Sequence, residues 1–352
     1  MTPLRRAWRP SAGVSILYDR RTIIAVSVLV LAIFALGVVT MTTGQYQLTL
    51  AEIWRILTAP DDPVGGMIVL GLRLPRLLAA IFVGAALGVA GAVFQSIARN
   101  PLASPDIVGF TTGSASGALV IILIAGQGGM GIAVGALIGG FATALLVYLI
   151  ALERGVVGQK LIVVGIAIAA MLGAANDFLI TRAELERAQA AKTWLFGSLH
   201  ATGWEVTTML ALGCLVLLPA ILAFSDKLRI LEMGDDLASA LGLPLGRSKL
   251  VLLSLAVGLT ALAIAGAGPI GFVALAAPQL ARRLTRTPGM GVVSSATMGS
   301  LLVVAADLLA QRLLAPLQIP VGLLTGAMGG IYLIWLLARE WRKGDGATRS
   351  PT

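Results

Sequence analysis

The chain has 352 residues, of which 57% are hydrophobic and only 12% are charged, and its mean hydropathy is +0.93. Soluble domains carry about 25% charged residues, so this composition excludes a soluble globular protein. The formal net charge of +9 would suit nucleic acid, but its distribution along the chain indicates membrane topology, and we expect no nucleic-acid partner.

Apolar runs of membrane-spanning length recur along the chain. About 20 helical residues cross the ~30 Å hydrocarbon layer. Five charge-free runs of that length lie at 22–41, 77–98, 130–152, 206–224 and 250–268. Five weaker runs lie at 107–125, 161–180, 269–285, 291–310 and 319–338. The sequence therefore predicts an all-α, polytopic membrane protein with about ten transmembrane helices, and it lacks the alternating ten-residue strands of a membrane β-barrel.

Lysine and arginine are distributed as in a protein with a cytoplasmic N-terminus. With ten crossings, most of the 26 basic residues fall in segments on the cytoplasmic side, as the positive-inside rule requires. This predicts a cytoplasmic N-terminal segment at 1–21, a transmembrane domain at 22–338 and a cytoplasmic tail at 339–352. The arginine-rich start resembles a signal peptide. However, the first apolar run has full span length and no small-residue cleavage site, which favours a retained anchor.

The sequence lacks the residues of most catalytic and metal sites. It has one histidine, His200, and one cysteine, Cys214, and it contains neither an HExxH motif nor a GxxxxGK[ST] phosphate-binding loop. We expect no metal site, no cofactor, no catalytic residue and no ATP binding by this chain. Asp177 and Asp307 are the ionisable residues nearest to the spans, close to predicted outer ends, and we expect them to be helix caps or salt-bridge partners.

The second predicted span runs into the segment FQSIARNPLASPDIVGF. Pro101 and Pro105 each remove a backbone donor and disfavour helix in the preceding residue, so a continuous helix ends here, and Asn100 can satisfy the freed backbone groups. Irregular backbone at membrane depth is tolerated only where it is buried in protein or faces water. We therefore expect a cytoplasmic gate, with an ordered loop of no transport role as the alternative. The expected gate residues are Gln95, Asn100, Pro101 and Leu102.

A second candidate segment, 226–246, lies between the sixth and seventh predicted spans. Acidic residues follow Gly234, at a helix start where the helix dipole favours them. Leu237 and Leu241 share one face, and Gly242 can cap the C-terminus. This predicts a helix of about two turns that fits a partner's groove, with an amphipathic hairpin on lipid as the alternative. The residues expected to define it are Gly234, Asp235, Ala238, Leu241 and Gly242.

Several segments also resemble a known family. The stretch RLPRLLAAIFVGAALGVAGAVFQSIARNPLASPDIVGFTTGSASGA is similar to the signature of the FecCD-type permeases. These are the membrane subunits of ATP-binding-cassette (ABC) importers for iron–siderophores, haem and cobalamin. LRILEMGDDLASALGL is similar to the family's cytoplasmic coupling segment, and WLFGSL to its outer loop. GPIGFVALAAPQLARRL and ADLLAQRLLAPLQIPVGLLTGAMGG resemble its last third.

The resemblance implies a type II ABC importer permease-like bundle that forms the pathway for an iron–siderophore-type metal chelate, with haem or cobalamin as alternative cargoes. It implies a second permease subunit, identical or a sister chain, two cytoplasmic ATP-binding subunits and an extracytoplasmic substrate-binding protein. ATP hydrolysis is then expected on a separate chain, which this chain contacts through segment 226–246. The implied location is the cytoplasmic membrane of a bacterium, with membrane lipid around the chain and both termini cytoplasmic.

The sequence departs from the family pattern at three places. Gln279 follows Pro278 where the family usually has histidine, and Gln311, followed by Arg312, takes the place of a usual arginine. The family's late Gly-x-Pro becomes Gly329-Gly330-Ile331. The roles of Gln279 and Arg312 therefore cannot be carried over from the resemblance.

Arginines near the predicted outer side go against the positive-inside bias. Arg73 and Arg76 precede the second predicted span, and the resemblance implies that they meet acidic residues of the binding protein. Arg312 is a third candidate for this contact, although its position departs from the family pattern. Snorkelling to lipid phosphates is the alternative. The rival function is an autonomous, ion-coupled secondary transporter. Such proteins place ionisable residues or unwound helices at the midplane, whereas this sequence keeps its charges near the span ends.

Overall fold

The computed structural model describes residues 6–11, 14–44, 46–59, 62–106, 109–126, 129–151, 158–200, 202–287, 289–314, 317–332 and 334. A short antiparallel hairpin, β1 (Arg6–Ser11) and β2 (Val14–Tyr18), precedes the helices. The helices of the first half are α1 (Arg20–Thr42), α2 (Leu50–Thr58), α3 (Pro63–Gly66), α4 (Leu74–Ala98), α5 (Phe110–Val120), α6 (Met130–Ala151) and α7 (Gly158–Arg182). Those of the second half are α8 (Leu185–Leu195), α9 (Trp204–Ala223), α10 (Ser225–Glu232), α11 (Asp235–Ala240), α12 (Leu245–Ala267), α13 (Val273–Thr285), α14 (Val292–Arg312) and α15 (Val321–Tyr332).

The predicted helical membrane bundle is confirmed. Within the described residues, seven helices are long and apolar enough to cross a membrane. They overlap the five charge-free runs and the predicted spans at 161–180 and 291–310. In the described residues, the other three predicted spans hold shorter helices, which are Phe110–Ala125, Val273–Thr285 and Val321–Tyr332.

The second span begins earlier than predicted. One helical run extends from Pro63 to Ala98, over 36 residues, and includes the π-helical stretch Met67–Arg73. Arg73 and Arg76 therefore lie inside the helix and do not precede it. Pro75 is accommodated in the first turn of α4, directly after the π-helical stretch.

The core is built around α4. This helix packs against α9, α12, α13 and α14, and most of its residues are buried. Small residues make the contacts very close: a methyl group added to Gly84 would overlap the carbonyl oxygen of Gly299, and one added to Gly91 would overlap that of Ala274. Helix backbones therefore touch at these positions, because small residues allow helices to approach closely.

The bundle has two ends, which we name after the arginines of α4. The Arg99 end carries the start of α1, the α4–α5 connection, α10, α11 and the α13–α14 connection. Hydrogen bonds from Arg21 to Leu284 and from Ser96 to Glu232 join these parts. The Arg76 end carries the end of α14 and the connections before α9 and α15, which are joined through Arg76.

Candidate functional site

The expected gate residues follow directly after the end of α4. Arg99 terminates the helix in the left-handed conformation, with φ 50°. The side-chain oxygen of Asn100 accepts a hydrogen bond from the Leu102 backbone N–H at 2.9 Å. The backbone carbonyl oxygen of Asn100 accepts one from the Ala103 backbone N–H at 3.1 Å. Asn100 thus satisfies freed backbone groups, as expected. Pro101 and Leu102 are exposed at the Arg99 end.

Gln95 is buried one turn before Arg99 and joins α4 to α13. Its Nε2 donates to the carbonyl oxygen of Leu275 at 3.0 Å, and its Oε1 accepts from Gln279 Nε2 at 2.6 Å. An amide group can both donate and accept, so these two side chains pair without a charge. This gives a concrete contact to Gln279, one of the positions where the family pattern is broken.

The chain after the gate turn folds back into the bundle. Phe110, the first residue of α5, packs on Phe94 of α4 with ring centroids 5.4 Å apart. The Asp106 carboxylate accepts hydrogen bonds from Thr111 Oγ1, at 2.6 Å, and from the backbone N–H of Phe272. Burial raises the pKa of Asp106, and these two hydrogen bonds act in the opposite direction. Asp106 therefore ties the α4–α5 connection to the start of α13, a contact that no sequence pattern indicated.

Segment 226–246 contains two helices, α10 and α11, where a single helix was expected. Gly234 separates them with φ 112°, a conformation that favours glycine. Asp235 Oδ2 lies 2.7 Å from Lys249 Nζ, and the lysine side chain is only 6% exposed. This ion pair fixes the start of α11 to the start of α12.

The end of α11 has the predicted glycine cap. Gly242 has φ 78°, and the N–H groups of Gly242 and Leu243 donate to the carbonyl oxygens of Ser239 and Ala238. These two bonds form a Schellman motif. Ala238 is completely buried, whereas Leu241 is 62% exposed. The helix therefore packs one side on its own chain and presents a leucine to the outside.

The three arginines expected to meet the binding protein have different environments. The Arg73 guanidinium donates to the backbone carbonyl oxygens of Met41 and Tyr46. Arg76 Nη2 lies 2.8 Å from Asp307 Oδ1, and the two side chains are 12% and 3% exposed. Arg312, in the last turn of α14, is exposed. Of these three, only Arg312 presents its charge openly at the Arg76 end.

A polar network surrounds the buried ion pair. Asp307 Oδ2 accepts a hydrogen bond from Gln311 Nε2 at 2.7 Å. Arg76 Nη1 donates to Gln318 Oε1 at 3.2 Å and lies 3.4 Å from His200 Nδ1. The expected salt bridge of Asp307 is confirmed, and the network links α4 and α14 to the connections before α9 and α15.

A polar cavity of ≈ 220 Å³ opens at the Arg99 end. Its lining includes Arg99, Asn100, Arg282 and Glu232, the last residue of α10. Glu232 lies in the stretch LRILEMGDDLASALGL, but no local pattern distinguished it from the other polar residues of this connection. In the described part of the chain, no three His, Cys, Asp or Glu residues are grouped so as to hold a metal ion.

Comparison with known proteins gives matches along most of the chain. The FecCD transport family matches residues 29–339. The ferric enterobactin transport system permease protein FepG of Escherichia coli (strain K12) is 45% identical over 325 residues, which are 92% of this chain and 98% of that protein. The hemin transport system permease protein HmuU of Yersinia pestis is 34% identical over 93% of this chain and 98% of its own.

Two further matches agree with these. The Fe(3+)-citrate import system permease protein YfmE of Bacillus subtilis (strain 168) is 33% identical over 92% of this chain and 98% of its own. A solved structure of an inward-facing metal-chelate type ABC transporter superposes with a TM-score of 0.80 at 28% identity, covering 89% of this chain and 98% of that one. The chain is a multi-pass membrane permease and belongs to the FecCD transport family.

Proposed function

We propose that this chain is the permease subunit of an ABC importer and forms the translocation pathway for a ferric siderophore. The observation that carries the proposal is its 45% identity, over 92% of its length, to a ferric enterobactin permease. The citrate permease of Bacillus subtilis and the hemin permease of Yersinia pestis are less similar, at 33% and 34%. A ferric siderophore is therefore the first cargo to test, and haem is the second.

In this proposal, energy for transport enters through α11. Leu237 and Leu241, one turn apart, are 51% and 62% exposed, and the nearby Met233 is 62% exposed. Their apolar surface at the Arg99 end fits a groove on one ATP-binding subunit, and the second permease subunit engages the other, while the buried Ala238 and the cap at Gly242 hold the helix on its own chain. Burial of exposed apolar area supplies the affinity for such a partner.

The Arg99 end is cytoplasmic in this proposal and holds the gate. Exposed arginines at this end, including Arg20 and Arg282, support the orientation through the positive-inside rule, and both termini are then cytoplasmic. The gate comprises Gln95, Asn100, Pro101 and Leu102, because α4 ends directly before Asn100 and each of the four residues lines the polar cavity or is exposed beside it.

The Arg76 end faces the extracytoplasmic binding protein in this proposal. Arg312 is the main docking charge and Arg73 a neighbouring one, whereas Arg76 acts mainly by holding Asp307. A second permease subunit completes the pathway, because a large hydrophilic chelate needs a wider path than one helical bundle provides. The importer is placed in the cytoplasmic membrane of a bacterium.

Co-purification from native membranes tests this assembly. The tagged chain is extracted in mild detergent, its partners are identified by mass spectrometry, and retained ligand is identified by mass and iron content. We expect an ATP-binding subunit, a permease subunit and a ferric siderophore. Retained haem would replace the proposed cargo without changing the class of importer. A chain that transports alone, with no ATP-binding subunit, would overturn the proposal.

A further inference from the structure

Glu232 binds two separate elements at the Arg99 end. Its Oε1 accepts a hydrogen bond from Ser96 Oγ at 2.6 Å and another from the Met290 backbone N–H at 3.0 Å. Ser96 is 2% exposed and lies on α4, four residues before Asn100. Met290 lies in the α13–α14 connection. One carboxylate oxygen at the end of α10 therefore holds both the last turn of α4 and this connection.

The Glu232 carboxylate lines the polar cavity and has further neighbours at the Arg99 end. A methyl group added to Gly289 would lie 2.7 Å from Glu232 Oε2. Apolar contacts add to the hydrogen bonds, because Leu228 and Leu231 of α10 are each 1% exposed and α10 packs against α4. Hydrogen bonds to an ionised acceptor are roughly twice as strong as neutral ones. The end of α10 is thus fixed firmly to α4.

A second contact links the same two regions. Arg99, which terminates α4, places its guanidinium beside Gly234, so that a methyl group added there would lie 3.1 Å from Nη1. Gly234 separates α10 from α11. The α10–α11 junction is therefore near the end of α4 at two points: Glu232 binds Ser96, and Gly234 lies beside Arg99.

We propose that Glu232 is a positioning residue that makes α10 and the last turn of α4 move as one body. A displacement of α11 by an ATP-binding subunit is then delivered through Ser96 to the gate turn at Asn100. This inference rests on the proposed contact of α11 with the ATP-binding subunit and adds the residue through which that contact acts on the gate.

The test separates ATP hydrolysis from movement of the gate. The full importer is reconstituted with Leu102→Cys as a reporter in a Cys214→Ala background, and labelling by a water-soluble thiol reagent is measured with and without ATP. Glu232→Ala is expected to retain ATP-binding subunits and hydrolysis, to lose the ATP-dependent change in labelling, and to transport less chelate per ATP. Glu232→Gln keeps a hydrogen-bonding group and should retain part of the response.

Two further variants control the experiment. Glu184→Ala removes an exposed carboxylate at the Arg76 end, whose side chain is 81% exposed, and should behave as the parent. Ser96→Ala should reduce the response, and combining it with Glu232→Ala should add nothing, because both remove one shared contact.

Three results would overturn the inference. The first is an unchanged labelling response in Glu232→Ala. The second is loss of the ATP-binding subunits from this variant, since Glu232 would then only shape their contact surface. The third is a parent protein whose labelling never responds to ATP although transport is ATP-driven. In that case the gate assignment fails as well, while the importer function stands.

Discussion

Arg76 and Asp307 place an ion pair inside the packed bundle, between α4 and α14. Their side chains are 12% and 3% exposed, and Gln311 and Gln318 occupy further hydrogen-bonding positions. Removing one member of a buried pair leaves an uncompensated charge and costs about 3–5 kcal/mol, whereas an exposed pair contributes about 0–1 kcal/mol. Either charge without its partner would therefore destabilise the folded bundle, whereas the intact pair is tolerated inside it.

Asp307→Ala is therefore expected to lower the stability of the purified permease by several kcal/mol, on the scale of about 3–5 for a broken buried pair. Thermal unfolding in detergent measures this. Glu184→Ala, which breaks the exposed pair with Arg187, is the matched control and should change stability little. The double replacement Arg76→Met with Asp307→Leu should recover much of the loss. Equal effects of Asp307→Ala and Glu184→Ala would show that the pair is not buried as described.

Arg312 is the residue at which docking of the binding protein can be tested. Charges at an interface rim act mainly on association rate and salt dependence, so Arg312→Glu should slow association of the binding protein, most strongly at low salt. Surface plasmon resonance on permease in nanodiscs measures the rate. Arg20→Glu makes the same charge change at the Arg99 end and should have no effect. A rate that is equal in both variants at low salt would remove Arg312 from the docking surface.

Helix α4 can pack at the centre of the bundle because many of its residues have small side chains. The overlap that a methyl group on Gly91 would make with Ala274 shows that α4 and α13 approach to backbone contact. Such contacts replace the hydrophobic effect as the source of association between helices in lipid. On α7, by contrast, Gly173 has open space around it.

Gly91→Ala and Gly173→Ala make the same chemical change in these two environments. Gly91→Ala should destabilise the protein by about 1–3 kcal/mol or more, the usual cost of overpacking. Gly173→Ala should be neutral or slightly stabilising, because alanine exceeds glycine in helix propensity by about 1 kcal/mol. Thermal unfolding of both variants checks this. Destabilisation of similar size would contradict the close approach of α4 and α13.

The short helix α11 is expected to carry the contact with the ATP-binding subunit. Leu241→Asp places a charge on its exposed apolar surface, and Gly242→Val forces a branched residue into a left-handed conformation that costs about 1–2 kcal/mol. Both variants should insert and bind the binding protein but lose the ATP-binding subunit in pull-downs. Leu313→Asp, on an exposed leucine at the opposite end, is the control. Normal retention of the subunit in both α11 variants would exclude α11 as the coupling helix.

At the scale of the whole molecule, the sequence predicts best what depends on neighbouring residues. Hydropathy over about 20 residues indicated the helical membrane bundle, and Gly242 indicated its own cap. Arg73 and Arg76 obscured the true start of the second span, because the strongest predicted spans were charge-free runs and the helix begins before these two charges. The three predicted spans that hold shorter helices in the described residues all belong to the five weaker apolar runs.

Contacts between distant parts of the chain were not predictable from one sequence. Asp307 was expected to form a salt bridge, but its partner is 231 residues away. Glu232 and Ser96 are 136 residues apart, and although each lies in a segment that resembles the family, no local pattern indicated that they pair. No role was expected for Gln279, whose side chain donates a hydrogen bond to Gln95. Such pairs are set by how the helices pack, which a local pattern does not encode.

The proposed function of this permease is transport of a ferric siderophore with energy from ATP. Uptake of radioactive ferric enterobactin into proteoliposomes tests it most directly, using the chain with its co-purified subunits and binding protein. We expect accumulation that requires ATP on the side of the Arg99 end, persists when ionophores abolish ion gradients, and is lost in Leu241→Asp. Accumulation by this chain alone, driven by an ion gradient and indifferent to ATP, would contradict the account.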